Sequence, residues 1–369
     1  MTNKTIVIVS YYYHPQITPR AFRAKELAAE FIRRKWSVVL ITPLGVYEND
    51  RILDIHELTP SHSKSQNQAS RPSLLKNILT KALRRLLPGG KDLLGALKIA
   101  RHGLKTKINA DVVISIGLPF SVHIATYFLR AVNSLKATRF IADYGDPYTA
   151  MEARYKGCLY AKYIERIVLR GFDDIAVPVP AAKVEFAPVT DINKIFVSPQ
   201  GLDLTQFKLK PYREDAKKTR LAYAGLFYSD IRNPSVLFEH LNTLNKNIEF
   251  HIYTNLSHDA TRQILEKYGT LENVIIHESL SREKCIYELS GYDFLVNIEN
   301  EIQSQTPSKL IDYTIAQRPI FSLKSSNFDP DKFNAFVCKN YEDALFVDIA
   351  KFDIVTVTDN LISRHPLEK

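Results

Sequence analysis

The sequence predicts an α/β fold of two successive doubly wound units, each a parallel sheet with crossover helices. Three observations carry this reading. Short apolar runs alternate with helical patterns along the whole chain. The 369 residues suffice for two cores of ordinary size. A link, QGLDLTQFKLKP at Gln200–Pro211, closes one run of strand patterns before a second begins.

In the first unit, taken as 1–205, strands are expected at Thr5–Ser10, Ser37–Thr42, Asp111–Ile116, Arg139–Asp143, Ile175–Val177 and Ile195–Ser198. In the second, taken as 206–369, they are expected at Arg220–Tyr223, Ile248–Tyr253, Val274–His277, Phe294–Ile298 and Pro319–Ser322. Open sheets of this kind bind ligands beyond the carboxyl ends of their strands. Two such units facing each other would share a cleft, and function is sought there.

At 45% hydrophobic and 24% charged, the chain is globular and not disordered. Cys158, Cys285 and Cys338 stand far apart, without the spacing of a disulfide framework or a zinc site, which fits a reducing cytosol. The apolar run Ile6–Ser10 is too short for a signal peptide. Val112–Leu129 lacks formal charge but contains Ser115, Gly117, Pro119, Ser121, His123 and Thr126, so it reads as a strand, a GLPFS turn and a helix capped by Ser121, not a membrane span.

The basic balance is local. Lys64–Lys107 holds eleven Lys or Arg and one acid, Asp92, a net of +10 that leaves the rest at −1 against a total of +9. Ser61–Ser73 reads as a Ser/Gln-rich loop. PSLLKNILTKALRRLL, from Pro72 to Leu87, sets its leucines on one side and Lys76, Lys81, Arg84 and Arg85 on the other. That division suits an anionic membrane surface, or a core-packing helix with a solvated basic face. No aromatic side chains interleave with these cations, so nucleic acid is not expected as a partner.

The richest segment is VNIENEIQSQTPSKLIDYTIAQRPIFSL, Val296–Leu323. Thr306 suits an N-cap and Pro307 the first helical position, which leaves the N–H groups of Ser308 and Lys309 unpaired within the helix. With the Lys309 charge and the positive helix end they make an anion site, with phosphate as its natural guest. Asp312, three residues on, lies on nearly the same face and suits ribose hydroxyls, or else forms a solvated pair with Lys309. In YAGLFYSDIRNP, Gly225 follows a strand and Arg232 precedes a helix start near Pro234, a geometry that aims a guanidinium at the same anion.

Across nearly its whole length the chain resembles the retaining glycosyltransferases of family four, which have the GT-B fold. The resemblance rests on YYYHPQITPRAFRAKELAAEF, DYGDPY at Asp143–Tyr148, QGLDLTQF at Gln200–Phe207, YAG at Tyr223–Gly225 and PSKLIDY at Pro307–Tyr313. It implies a nucleotide-sugar donor held mainly by the second unit, an acceptor held by the first, and hexosyl or N-acetylhexosaminyl transfer with retention. By position, Arg232 and Lys309 would neutralise the diphosphate and Asp312 would stand where the last Glu of the family's E-x7-E motif binds ribose. Ser304 stands where the first Glu would be, and Leu226 where an Arg is common, leaving Glu299 or Glu301 to take the sugar contact.

The loop after the first strand lacks the paired glycines of many relatives and carries Pro15, Pro19, Arg20 and Arg23. Arg20 and Arg23 are read as cations reaching an anionic acceptor or the donor phosphate, the alternative for Arg23 being a pair with Glu26. Asp146 would orient an acceptor hydroxyl or stabilise positive charge in the transition state, or else form an Asx turn before Pro147. His14 is assigned to the acceptor side, and His123 is a weaker candidate of the same kind, a lone His being more often a satisfied polar core residue.

No metal or resident cofactor is expected, since the one close Asp-x-Asp, Asp329-Pro330-Asp331, falls in an expected turn. The leading reading is a metal-independent transferase that extends a lipid-linked or surface glycan at the cytosolic membrane face. The alternatives are a nucleotide-sugar-binding protein without turnover and a nucleotide-sugar epimerase. A dehydrogenase is disfavoured because no G-x-G-x-x-G follows the first strand.

Overall fold

The computed structural model describes residues 4–16, 18–53, 93–145, 147–149, 160–215, 217–229, 232–244, 247–269, 271–299 and 308–363. The segment Pro72–Leu87 lies outside them, as do Asp146, Cys158, Glu301, Ser304 and Thr306. Among the described residues no helix is long and apolar enough to cross a membrane.

The chain divides into two compact units, Met1–Asp203 with Phe352–Lys369, and Leu204–Lys351. Both are Rossmann-like α/β domains. The first holds seven strands: β1 (Thr5–Ser10), β2 (Ser37–Thr42), β3 (Gly45–Glu48), β4 (Ile108–Ile116), β5 (Leu135–Asp143), β6 (Asp174–Val177) and β7 (Ile195–Val197). Their order is β3-β2-β1-β4-β5-β6-β7. All neighbours run parallel except β3, which returns antiparallel on β2 after a turn in which Leu44 N donates to Thr42 Oγ1 at 3.1 Å. That edge strand is missed by the sequence reading, because GVYE is too short to show a period.

Alternate residues of each strand feed opposite cores. Val7, Val9, Val113, Phe140 and Ala142 face one side, while Ile6, Ile8, Val112, Ile114 and Ile141 face the other. The first side is covered by α3 (Leu93–Thr106), α4 (Ser121–Ala131), α5 (Ala161–Leu169) and the short α6 (Ala182–Phe186). The second is covered by α1 (Pro19–Arg33), α2 (Asn49–Leu53) and α12 (Ile354–Ser363). Ser121 opens α4 as its first helical residue, with Phe120 at the cap and no side-chain cap bond, so the expected Ser121 cap is corrected by one position.

Helix α12 also corrects the domain reading, which gave 206–369 to the second unit. The chain returns: Leu202 N donates to Phe352 O and Ile354 N to Leu202 O, each at 2.9 Å. Ile354, Val357 and Leu361 are buried in the first unit's core. A Cβ on Gly201 would lie 2.4 Å from Ile354 Cδ1, so that glycine permits the close crossing.

The second unit holds β8 (Thr219–Ala224), β9 (Ile248–Thr254), β10 (Val274–Glu278), β11 (Phe294–Ile298) and β12 (Ile320–Leu323), all parallel, in the order β10-β9-β8-β11-β12. Its helices are α7 (Ser235–Leu241), α8 (Asp259–Tyr268), α9 (Arg282–Leu289), α10 (Ser308–Ile315) and α11 (Pro330–Val337). Asp329 caps α11, accepting from Asp331 N and Lys332 N at 3.1 Å, a helix start in place of the expected turn. Strand order reverses between β1 and β4 in one sheet and between β8 and β11 in the other, the points where such sheets leave a crevice.

Candidate functional site

In the second unit the loops after β8 and β11 meet helix α10. Lys309 and Tyr313 stand four residues apart, on one face of α10, and dock it onto the end of β8. Tyr313 Oη accepts from Ala224 N at 2.8 Å, and Lys309 Nζ donates to Tyr223 Oη at 2.8 Å while lying 4.4 Å from the centre of that ring. Tyr223 is wholly buried, stacks on Phe227 at 4.6 Å and donates its hydroxyl proton to Leu226 O at 2.8 Å.

Gly225 follows at φ +136°, a conformation costly for any side-chain-bearing residue. A Cβ there would lie 2.0 Å from Lys309 Nζ, so the glycine makes room for the ammonium. Arg232 is folded back towards the strand end by two backbone bonds with Tyr228, at 3.1 and 3.2 Å. Its guanidinium acts on both Tyr223 Oη and Lys309.

Lys309 as a residue is half-buried, but its amine end packs against Tyr223 and Gly225. Burial first, then the Arg232 charge, hold the Lys309 amine well below the usual lysine range. Among the described residues Lys309 makes one hydrogen bond, to Tyr223, and pairs with no carboxylate. Gly225, Arg232 and Lys309 thus converge as the sequence led one to expect. The shared hydroxyl of Tyr223 was missed, although YAG had marked its position.

The carboxylates behave differently. Asp312 is held by Arg282, whose Nε and Nη2 donate to Oδ1 at 2.8 and 2.6 Å. It does not pair with Lys309, and Oδ2 takes no partner among the described residues. Burial pushes the Asp312 carboxyl up, against the pull of Arg282. Arg282, missed by the sequence reading, stands 30 residues away in sequence. Glu299 follows β11, donates its N–H to Leu323 O at 2.8 Å and accepts from Ser322 Oγ at 2.8 Å. Ser308 begins α10, while Glu301 and Thr306 fall outside the described residues.

In the first unit the opening loop requires a correction. Arg23 is not a reaching cation; its side chain is 2% exposed. Its Nε and Nη2 donate to Asp143 Oδ2 at 3.1 and 2.7 Å, Nη2 also to Ser198 Oγ at 2.7 Å, and Nη1 to Pro199 O at 2.7 Å. Arg20 Nη1 donates to the other oxygen, Asp143 Oδ1, at 2.8 Å. One carboxylate at the end of β5 therefore holds two guanidiniums and ties α1 to the segment after β7. The Arg23–Glu26 pair does not form; Glu26 instead accepts from Asp203 N at 3.2 Å. Arg20, 12% exposed, lies against Gly145 and His14 is half-buried; Asp146 is outside the described residues.

His123 is wholly buried, with Nδ1 2.8 Å from Ser115 Oγ, against Tyr144 at 4.4 Å. Burial first, then Arg20, push its pKa down to about 3. Of the two readings of His123, the structure favours the core histidine.

No family model matches the chain, and no curated protein matches its sequence. Solved structures do. HepE of Anabaena, in complex with UDP and glucose, matches at TM-score 0.56 and 9% identity, over 97% of this chain and 98% of that one. The lipopolysaccharide outer core galactosyltransferase WaaB in its apo form matches at TM-score 0.58 and 12% identity, with the same coverage. The glycotransferase of kitacinnamycin matches at TM-score 0.53 and 13% identity, over 99% of each chain. At such identities the likeness is one of fold, that of GT-B glycosyltransferases.

Proposed function

We propose that this chain is a glycosyltransferase that moves a sugar from a nucleotide-diphosphate sugar to a lipid-linked or surface glycan at the cytosolic membrane face. The observation that carries the reading is the desolvated Lys309 amine, which donates to the neutral hydroxyl of Tyr223, feels the Arg232 charge and pairs with no carboxylate among the described residues. A desolvated lysine amine near a like charge is unfavourable in its charged form, and an anion placed against it offsets that cost. The positive end of α10, which begins at Ser308, would add to its pull.

As the bond from the sugar to the diphosphate breaks, negative charge grows on the leaving phosphate oxygen. Lys309, Arg232 and the helix end would stabilise it, which is the task a divalent ion performs in other transferases. Asp312 Oδ2 would accept from the ribose, and Glu299 or Glu301 would contact the sugar. Asp146, His14 and Arg20 are assigned to the acceptor side; Arg23 is withdrawn from it. HepE was solved with UDP-glucose, so UDP-sugars are the first donors to try. Retention at the anomeric carbon remains the expectation from the family resemblance.

The test is calorimetric titration with a panel of nucleotide sugars, followed by turnover assays. Lys309→Ala and Arg232→Ala should each weaken donor binding by about 1.5–3 kcal/mol, the usual worth of charged hydrogen bonds. Asp312→Asn should weaken the donor but not bare pyrophosphate. Turnover that a chelator abolishes and magnesium or manganese restores would sink the metal-free scheme. Unaltered donor affinity in Lys309→Ala would sink the site.

A further inference from the structure

The two sides of the first sheet differ in what they show to solvent. On one side α1 and α12 mix acids with cations, with Arg34 paired to Asp359 and Phe22 as the large apolar residue above one-third exposure. On the other, α3, α4 and α5 carry one acid among them, Glu165, which is buried and accepts the N–H groups of Tyr148 and Thr149 at 3.0 and 2.8 Å. Among the described residues, neighbouring segments carry Asp173, paired with Arg130 at 3.3 Å, and Glu185 on α6.

Helix α3 sets the character of this side. Gly95 and Gly103 face inward, where a Cβ would lie 2.1 Å from the Tyr11 ring and 2.4 Å from Leu129 Cδ1. That packing turns Leu94, Leu97 and Leu104 outward, at 69%, 59% and 45% exposure. Lys98, Arg101 and Lys105 are exposed among them. Phe128 of α4 and Tyr163 of α5 are also exposed, at 42% and 67%. A soluble face with cations alone would need no explanation; three outward leucines in a helix that also carries three outward cations do.

We propose that the α3 face, flanked by α4 and α5, docks on an anionic lipid bilayer, with Leu94, Leu97 and Leu104 entering the headgroup boundary and Lys98, Arg101 and Lys105 meeting lipid phosphates. The division of apolar and basic groups is that of a helix lying in a membrane interface. A nucleic-acid backbone would engage the cations but leave the leucines in water. The face would supply the membrane contact that a lipid-linked acceptor asks for, and its test needs neither donor nor acceptor. Its failure therefore leaves donor binding at Lys309 untouched.

The experiment is flotation of the full chain with vesicles of phosphatidylcholine alone or with about one-third phosphatidylglycerol. The intact chain should float with the anionic vesicles at physiological salt and stay behind with the neutral ones. Lys98→Glu/Arg101→Glu/Lys105→Glu should lower the bound fraction at least about tenfold. Leu94→Ser/Leu97→Ser/Leu104→Ser should lower it as well and leave the residual binding strongly salt-sensitive. Both variants alter exposed side chains, and circular dichroism checks their folding. Flotation unchanged in both, or a leucine variant that abolishes a dimer while keeping vesicle binding, would overturn the proposal.

Discussion

Each unit carries a cationic pair beyond its first strand, yet the pairs have opposite surroundings. Arg20 and Arg23 in the first unit share the carboxylate of Asp143, which stands at the end of β5. Lys309 and Arg232 in the second converge on the phenol of Tyr223. A buried charge with its counter-charge in place is part of the fold; one held against a neutral hydroxyl is poised for an external anion. Cation count after a strand therefore does not single out a phosphate site; a desolvated lysine without a carboxylate among the described residues, as at Lys309, is the more telling sign.

The largest contrast should appear in stability. Asp143→Ala leaves two guanidiniums buried without their partner and should cost about 3–5 kcal/mol in chemical denaturation. Lys309→Met removes a cation whose amine end is desolvated, and should leave stability unchanged or raise it at neutral pH. Equal losses in both variants would erase the distinction between the two clusters.

Acid is the next probe, because burial first and the Arg20 charge second hold His123 neutral. The unfolded imidazole gains a proton below about 6.5, while the folded one resists until about 3. Stability from this group is therefore complete above pH 6.5 and is lost as pH falls towards 3. At pH 5 the loss should be about 2 kcal/mol, and His123→Phe should flatten that part of the profile. A profile unchanged by the substitution would refute the assignment.

The smallest effect belongs to Gly225→Ala, which introduces strain at φ +136° and crowds Lys309 Nζ. About 1–2 kcal/mol of stability should go, with a parallel loss of donor affinity as the ammonium is displaced. Wild-type affinity in that variant would mean that Lys309 holds its position without the glycine.

Much of the architecture was legible in the sequence. The eleven expected strands form, β4 and β5 beginning three and four residues earlier than expected. Local apolar periodicity and turn residues suffice for that, since both are properties of neighbouring positions. That Gly225, Arg232 and Lys309 would lie near one another was likewise readable from the strand ends and helix start beside them. What only the tertiary structure decided is which charges meet. Arg23 and Asp143 are 120 residues apart, Lys309 and Tyr223 86, and Asp312 and Arg282 30. Helix α12 crosses back to the first unit after the whole second unit has been built. Local pattern constrains what a residue can become along a strand or helix, but a charge takes its role from the groups that folding brings within hydrogen-bonding distance, and those are chosen by packing across the chain.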